Sequence, residues 1–455
     1  MDVLTLSRFQ FALTSAFHYI YPPLSIGIGL MLVIMEGIYL KTGNKIYLQL
    51  TKFWVKIFSL TFALGVATGL VQLFGFGTNW APYSRFVGDI FGGALGAEGI
   101  FAFFLEAGFL GIMLFGWDRV SKKMHYTATI LVALGSHFSA VWIVVANSWM
   151  HTPAGFKLIG EGSSRRAVVT DFWQMVFNPS SVDRLTHVLL GCWISGIFLF
   201  LSINAYYYLK KRHMDIARSG MKIGLFAALI VLFLQLLSAD STARGVAVNQ
   251  PSKLAAMEGV YKTAPEGEGT PITVFGYVDT KEEKVVGLKI PRLLSLLTNR
   301  TLTKPVNGLD KIPRDEWPNV QAVFQAYHLM IAMWGIMLTI TLAALVQFLR
   351  KKLEKSVLIL VALVGSVVLP QIANFTGWMT AEMGRQPWVV WGLLKTKDGL
   401  SKMITQQQVF GSIMMFIAIY ILLFVLFIFL LNEKIQHGVE GDDAPVYRDV
   451  QKEDN

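Results

Sequence analysis

Residues 378–388 read Trp-Met-Thr-Ala-Glu-Met-Gly-Arg-Gln-Pro-Trp. The stretch follows an apolar run from Val357 to Val368, which places it at or just below a membrane surface. Glu382 and Arg385 then lie close to hydrocarbon, where a carboxylate costs roughly 2.5–3.5 kcal/mol on insertion scales and calls for a partner and a task. Pro387 stops a helix and Gly384 lets the backbone bend, so a rigid corner presenting an acid, a base and two tryptophans is expected. Reading along the other apolar runs gives three buried acids, Glu98, Glu106 and Glu382, with His18, His187 and Met330 in similar settings. Carboxylates, imidazoles and a thioether in lipid-facing helices point to redox cofactors.

Each candidate has a plainer reading beside the chemical one. His18, in Phe-His-Tyr-Ile-Tyr-Pro-Pro, is either a packed, hydrogen-bonded histidine or the proximal ligand of a five-coordinate haem. His187 opens one apolar run and Met330 lies just inside another, at matched depth. Methionine in an apolar helix is normally core filler, but a His/Met pair also makes a six-coordinate haem of raised potential. His328 is the rival ligand, two residues away and on another helix face. Glu98 and Glu106 share one run; as an α-helix it would hold them about 80° apart in azimuth and about 12 Å apart in height. They could be neutralised by bundle contacts, relay protons or ligate haem. His137 and His151, fourteen apart, imitate half of a di-haem bundle, but the second helix with its own pair is missing and Thr152-Pro153 ends the run, so that reading is rejected. Lys253 and Glu258 are five apart on a short helical stretch. They form either a solvated face or a quinol contact, in which lysine hydrogen-bonds a carbonyl and glutamate takes a hydroxyl proton.

The elements that must position these residues are membrane helices. Of 455 residues, 54% are hydrophobic and only 15% charged, against about 25% charged in soluble domains. The fold class read from this is an all-α integral membrane protein of about nine transmembrane helices, near 12–38, 52–74, 93–116, 126–149, 185–209, 220–239, 321–349, 355–375 and 407–431. No A-x-A-like site follows the first run, so no removable signal peptide is expected. Loops around Lys41–Lys56, Arg119–Lys123, Lys210–Arg212 and Arg350–Lys355 are rich in basic residues, and the alternate short loops are poor in them. The positive-inside rule then puts the N-terminus outside and the C-terminus in the cytoplasm, and it accounts for the formal net charge of +10 without nucleic acid. Four parts are expected. Helices 1–6 occupy 1–239, a long extracytoplasmic loop 240–320, helices 7–9 321–431 and a disordered cytoplasmic tail 432–455. A structureless loop of that length is usually functional or a linker. Cys192 is the only cysteine, so an internal disulfide and a cysteine-held cluster are excluded, and any metal is held by His, Met or carboxylate.

Together these residues resemble subunit I of the cytochrome bd quinol oxidases, over roughly residues 1 to 430. The resemblance is carried by Gly384-Arg-Gln-Pro-Trp388 with Trp378 and Glu382 upstream, and by Gly65-Val-Ala-Thr-Gly-Leu70. Phe76-Gly-Thr-Asn-Trp80, Phe103-Phe-Leu-Glu106 and Lys253-Leu-Ala-Ala-Met-Glu258 add to it.

The resemblance implies roles residue by residue. His187 and Met330 match the axial ligands of a low-spin haem b. His18 and Glu382 match ligands at two high-spin haems, one b-type and one d-type, Glu98 matches an acid beside them or a further axial ligand, and which haem takes which site differs between family members. Glu106, Ser139 and Asn147 match a proton route from the cytoplasm. Lys253 and Glu258 match the quinol contacts of the long loop, called the Q-loop, while Arg385 and Trp378 match residues packed around the haems. The chain lacks a long insertion late in that loop and so looks like the short-loop branch, some members of which carry haem b in place of haem d. The implied activity is oxidation of quinol at the outer face of a prokaryotic plasma membrane and reduction of O2 to water with cytoplasmic protons. That builds a potential without pumping. The implied partners are a second large membrane subunit and, often, a small single-span one. Two other classes compete: a haem-free proton-coupled transporter, and a quinone-binding anchor that hands electrons to another subunit. The first shows no haem spectrum, and the second shows no oxygen-reactive high-spin haem.

Overall fold

The computed structural model describes residues 2–439, leaving out the side chains of Phe101, Ala102 and Ser163. Among the described residues, nine helical segments are long and apolar enough to cross a membrane. The first apolar stretch, expected as one span, is two helices, α1 (Val3–His18) and α2 (Tyr21–Thr42). Pro22 and Pro23 in the first turn of α2 lack amide protons and cannot continue the ladder of α1, so His18 sits at a break within the first membrane-crossing segment, Val3–Thr42. Next come α3 (Lys45–Thr78), begun by the Asn44 side chain accepting from the Ile46 amide, and α4 (Ala81–Ala97). A π-helix, Glu98–Phe103, joins α4 to α5 (Phe104–Phe115).

The long α6 (Lys122–His151) is followed by the hairpin β1 (Phe156–Ile159) and β2 (Arg166–Val169) and the short α7 (Phe172–Val176). Then come α8 (Ser181–Lys210) and α9 (Met214–Asn249), which runs well past the expected boundary at 239. The last spans are α12 (Val320–Leu349), α13 (Val357–Gly365) continued by α14 (Val368–Met383), and α15 (Gln406–His437). The expected tail thus begins as helix, and residues 440–455 lie outside the described residues.

α8 is the most deeply buried span. It meets α2 at Gly27 and Gly196, where a Cβ on Gly27 would stand 2.4 Å from the Cys192 carbonyl oxygen and one on Gly196 2.3 Å from the Gly27 carbonyl carbon. Only glycine permits that backbone contact, which gives two apolar helices a packing gain that lipid cannot supply. The first and last helices also close on each other: Gln10 donates to Ser412 Oγ at 2.6 Å, and Phe17 stacks on Tyr420 at 4.1 Å.

The loop between α9 and α12 is folded. It contains α10 (Pro251–Glu258), the antiparallel hairpin β3 (Ile272–Asp279) and β4 (Lys284–Ile290), and α11 (Leu293–Asn299). Leu254, Ala255, Tyr261, Val278, Val285 and Leu309 bury against Val323 and Phe324 of α12, giving the loop its own core. A last hairpin, β5 (Trp388–Val390) and β6 (Leu394–Lys395), follows the corner after α14.

Candidate functional site

Glu382, in the last turn of α14, is the hub of the polar cluster. Arg385 Nη2 donates to Glu382 Oε2, and Asn147 Nδ2 on α6 donates to Oε1 at 2.9 Å. Arg184 Nη2 on α8 donates to Asn147 Oδ1 at 2.5 Å. His151, at the end of α6, has Nε2 3.1 Å from Glu382 Oε1 and Nδ1 2.8 Å from Lys253 Nζ. The carboxylate can only accept, which puts the ring proton on Nε2 and leaves Nδ1 to accept from Lys253. Lys253 Nζ also donates to Gln250 Oε1. An unbroken chain of hydrogen bonds therefore runs from α10 in the loop, through His151, to the acid of the corner.

Lys253 and Glu258 form no solvated face. They are 2% and 4% exposed, because α10 is roofed by its own loop. Burial, with Arg184 nearby, holds the Lys253 ammonium well below the usual lysine range. Burial pushes the Glu258 carboxyl up to about 7, partly opposed by a hydrogen bond from Tyr327 on α12, and Glu258 Oε2 has no partner. Gly384 differs from its expected role. Its φ of −69° is ordinary, and an added Cβ would lie 2.7 Å from both Lys253 Cγ and the Thr380 carbonyl oxygen.

The two acids of the third span share one neighbour. Ser139 Oγ donates to Glu98 Oε1 at 2.5 Å and Ser136 Oγ donates to Glu106. The expected 80° separation assumed an α-helix, but the π turn from Glu98 under-winds the chain and turns both carboxylates toward α6. Ser139 thus pairs with Glu98, while Glu106 meets Ser136, a residue the sequence reading left out. The count of three acids in apolar runs was also short. Glu36 on α2 is fully buried, bonded to His125 and Thr129 of α6.

The remaining candidates sit apart from the Glu382 hub. His18 Nδ1 is 2.9 Å from Thr68 Oγ1, within the Gly65–Leu70 motif. His187 on α8 meets Gln235 Nε2 at 3.1 Å from each ring nitrogen, on α9. Met330 on α12 turns its sulfur to Gly377 of α14, whose added Cβ would stand 2.8 Å from Sδ. His328 has both ring nitrogens 2.8 Å from backbone carbonyls, of Phe324 and Thr273, so neither is turned toward a ligand position. His137 is held by the Ala133 carbonyl and the Trp193 indole, in keeping with its rejection. Trp378 lies over Phe11, ring centroids 6.5 Å apart.

Arg385 Nε and Nη1, Arg184 Nε and Gln235 Oε1 are buried without hydrogen-bond partners. Buried guanidinium donors lacking acceptors suit a ligand that carries carboxylates, and a buried imidazole and thioether suit an iron. The residues present therefore fit a haem with its propionates.

The sequence and fold are also similar to those of known proteins. Residues 6–439 match the family model described as cytochrome bd terminal oxidase subunit I. The chain is 36% identical to cytochrome bd ubiquinol oxidase subunit 1 of Bacillus subtilis (strain 168), covering 99% of this chain and 97% of the relative. It is 35% identical to cytochrome bd-II ubiquinol oxidase subunit 1 of Escherichia coli (strain K12), covering 96% and 97%. The structure of the bd oxidase from Geobacillus thermodenitrificans superposes with a TM-score of 0.88 at 29% identity, covering 96% of this chain and 99% of that one.

Proposed function

The chain belongs to the cytochrome bd terminal oxidase subunit I family, quinol:oxygen oxidoreductases of the prokaryotic plasma membrane, and from that premise we propose how its residues divide the work. Quinol is oxidised at the loop, and its two protons leave on the outer side. Two quinols and one O2 give two quinones and two waters, and the protons consumed with O2 come from the cytoplasm. Charge thus crosses the membrane without a pump.

The observation that carries this reading is the Lys253–His151–Glu382 chain, which joins the loop to the corner acid. Glu258, raised to about 7 and with a free Oε2, accepts a proton from a quinol hydroxyl near neutral pH. Lys253 donates to a quinol oxygen. His187 and Met330 hold a low-spin haem b. His18 and Glu382 hold two high-spin haems, b- and d-type or both b-type, with Glu98 beside them. Arg385 and Arg184, with buried donors lacking acceptors, would pair with carboxylates of a bound haem, and Trp378 would pack beside it. When bound, the haems supply the electron carriers and an oxygen-binding iron. Glu106, Ser139 and Asn147, joined by Ser136, deliver protons along α6. A second large membrane subunit and a small single-span one complete the complex, consistent with the largely exposed apolar surface of α15.

The test is a reduced-minus-oxidised spectrum of the purified complex together with quinol-driven O2 consumption. Low-spin and high-spin haem signals with turnover are expected, and loss of turnover with all signals kept in Lys253→Ala. Absence of haem would overturn the reading.

A further inference from the structure

Six polar side chains of α6, His125, Thr129, Ser136, Ser139, Asn147 and His151, fall within an arc of about 120° at 100° per residue. Every one of them touches a carboxylate. Ser139 meets Glu98, Ser136 meets Glu106, and Asn147 and His151 meet Glu382. His125 and Thr129, at the lysine-rich end of the helix, meet Glu36. The proposed chemistry uses the first three acids and leaves the fourth unexplained.

Glu36 and His125 are fully buried and Thr129 is 1% exposed, inside the membrane-spanning bundle. Burying an acid and an imidazole together is a poor way to add stability, since apolar residues of like volume often do as well or better. The geometry also gives the pair one movable proton. His125 Nε2 lies 3.2 Å from the Met113 carbonyl, which can only accept, so Nε2 carries a hydrogen. Nδ1 and Glu36 Oε1, 2.7 Å apart, then share a single proton, while Thr129 Oγ1 donates to Oε2 at 2.6 Å. The indole of Trp117 covers the imidazole at 3.8 Å, and the Lys52 ammonium lies 5.4 Å over that indole. Lys122 lies over Tyr39 on α2, Tyr126 faces α2 at Gly37, and Lys56 follows one turn after Lys52 on α3. Along residues 190–208, α8 brings tyrosines 206–208 and no charge.

We propose that the Glu36–His125 pair is the loading point of the proton route that continues to Glu106, a reading that rests on the route proposed above. From Thr129 to Ser136 the helix rises about 10 Å, past Val132 and Ala133, with Met113 of α5 alongside. Crossing that length requires two or three waters at about 2.8 Å a step. The shared proton passes from the pair to the first water, and the last water passes one to Glu106. The pair is left as glutamate and neutral imidazole, held by Thr129, until a proton from the lysine-rich side restores it.

The experiment measures O2 consumption with quinol and proton uptake from the medium, on the purified complex, for Glu36→Gln, Glu36→Asp and Glu106→Gln. Glu36→Gln is expected to slow turnover on the order of tenfold to a hundredfold and to raise the solvent deuterium isotope effect. Quinol should still reduce the low-spin haem without O2. Glu36→Asp is expected to restore most of the proton uptake. A clamp that merely pins α2 to α6 would lower the Tm and leave the isotope effect unchanged. If Glu36→Gln does not assemble with haem, Thr129→Val, which removes only the hydroxyl on Oε2, is read in the same way. Wild-type turnover and proton uptake in Glu36→Gln, with Glu106→Gln slowed, overturn this inference alone. Wild-type turnover in Glu106→Gln overturns the route itself and this inference with it.

Discussion

Gly384→Ala tests the loop-to-corner chain without touching a titratable group. The backbone there is helical, so alanine is conformationally allowed. Its Cβ would stand 2.7 Å from Lys253 Cγ, 3.3 Å from Cδ and 2.7 Å from the Thr380 carbonyl oxygen. Lys253 cannot swing clear, because its side chain is buried and its Nζ is tied to His151 and Gln250. Overpacking of this kind costs roughly 1–3 kcal/mol. Relief comes most readily by withdrawing Nζ from His151, so that energy is taken from quinol positioning. At about 1.4 kcal/mol per factor of ten, kcat/KM for quinol should fall roughly five- to hundredfold. Haem content, read from the dithionite-reduced spectrum, should be unchanged. Introduced into Lys253→Ala, the same change should cost less, because the stem is gone and only the Thr380 carbonyl contact remains. Wild-type kcat/KM in Gly384→Ala with full haem content would refute the claim that Lys253 must hold this position.

Replacing His187 by Ala or Met330 by Leu should remove the low-spin haem signal and quinol oxidation, whereas His328→Ala should keep the signal; the opposite result in the reduced spectrum moves the ligand to His328. Because Glu258 is raised to about 7, it is protonated below that pH and cannot accept from quinol. The rate of quinol oxidation should therefore rise through about pH 7, and Glu258→Gln should be slow at every pH with no such limb. A full-length pH profile with the limb intact in that variant would remove Glu258 from the chemistry. Glu106→Gln should slow O2 consumption on the order of a hundredfold while quinol still reduces the low-spin haem, and turnover measured beside haem content decides it.

The spans were readable in the sequence because hydrocarbon imposes length and apolarity on every crossing segment. The failures have local causes. The break after His18 was signalled by Pro22-Pro23 but lost in one continuous apolar run. The π turn at Glu98 has no pattern that distinguishes it from α-helix, so the azimuth of Glu106 came out wrong. His151 was weighed only as a haem histidine and set aside. Its actual contacts, Glu382 and Lys253, lie 231 and 102 positions away, beyond the reach of spacing arguments. The signal that would have found it is the helical recurrence of polar residues along α6. The same recurrence, followed to His125, leads to Glu36. The burial of Lys253 and Glu258 was hidden because the loop's core is built from short, scattered segments. His187, Met330, the corner residues and both acids of the third span stand out in the sequence by residue type and depth.

The separation of His151 from Glu382 also sets an order of events during synthesis. At roughly 5–20 residues per second, the ribosome takes on the order of 10–50 s to travel from one to the other. His187 and Met330, proposed to hold the low-spin haem, both precede the corner in the chain, but Met330 packs on Gly377 of α14, so that pocket also waits for α14. Glu382 meets Asn147 and His151 only when α14 arrives beside an α6 and α8 already made. Chains arrested before α14 should accordingly lack the Glu382 hub, and on the proposed assignment a spectrum of the arrested membranes should show no high-spin haem. The site proposed to meet oxygen would then form only once nearly the whole chain has been made.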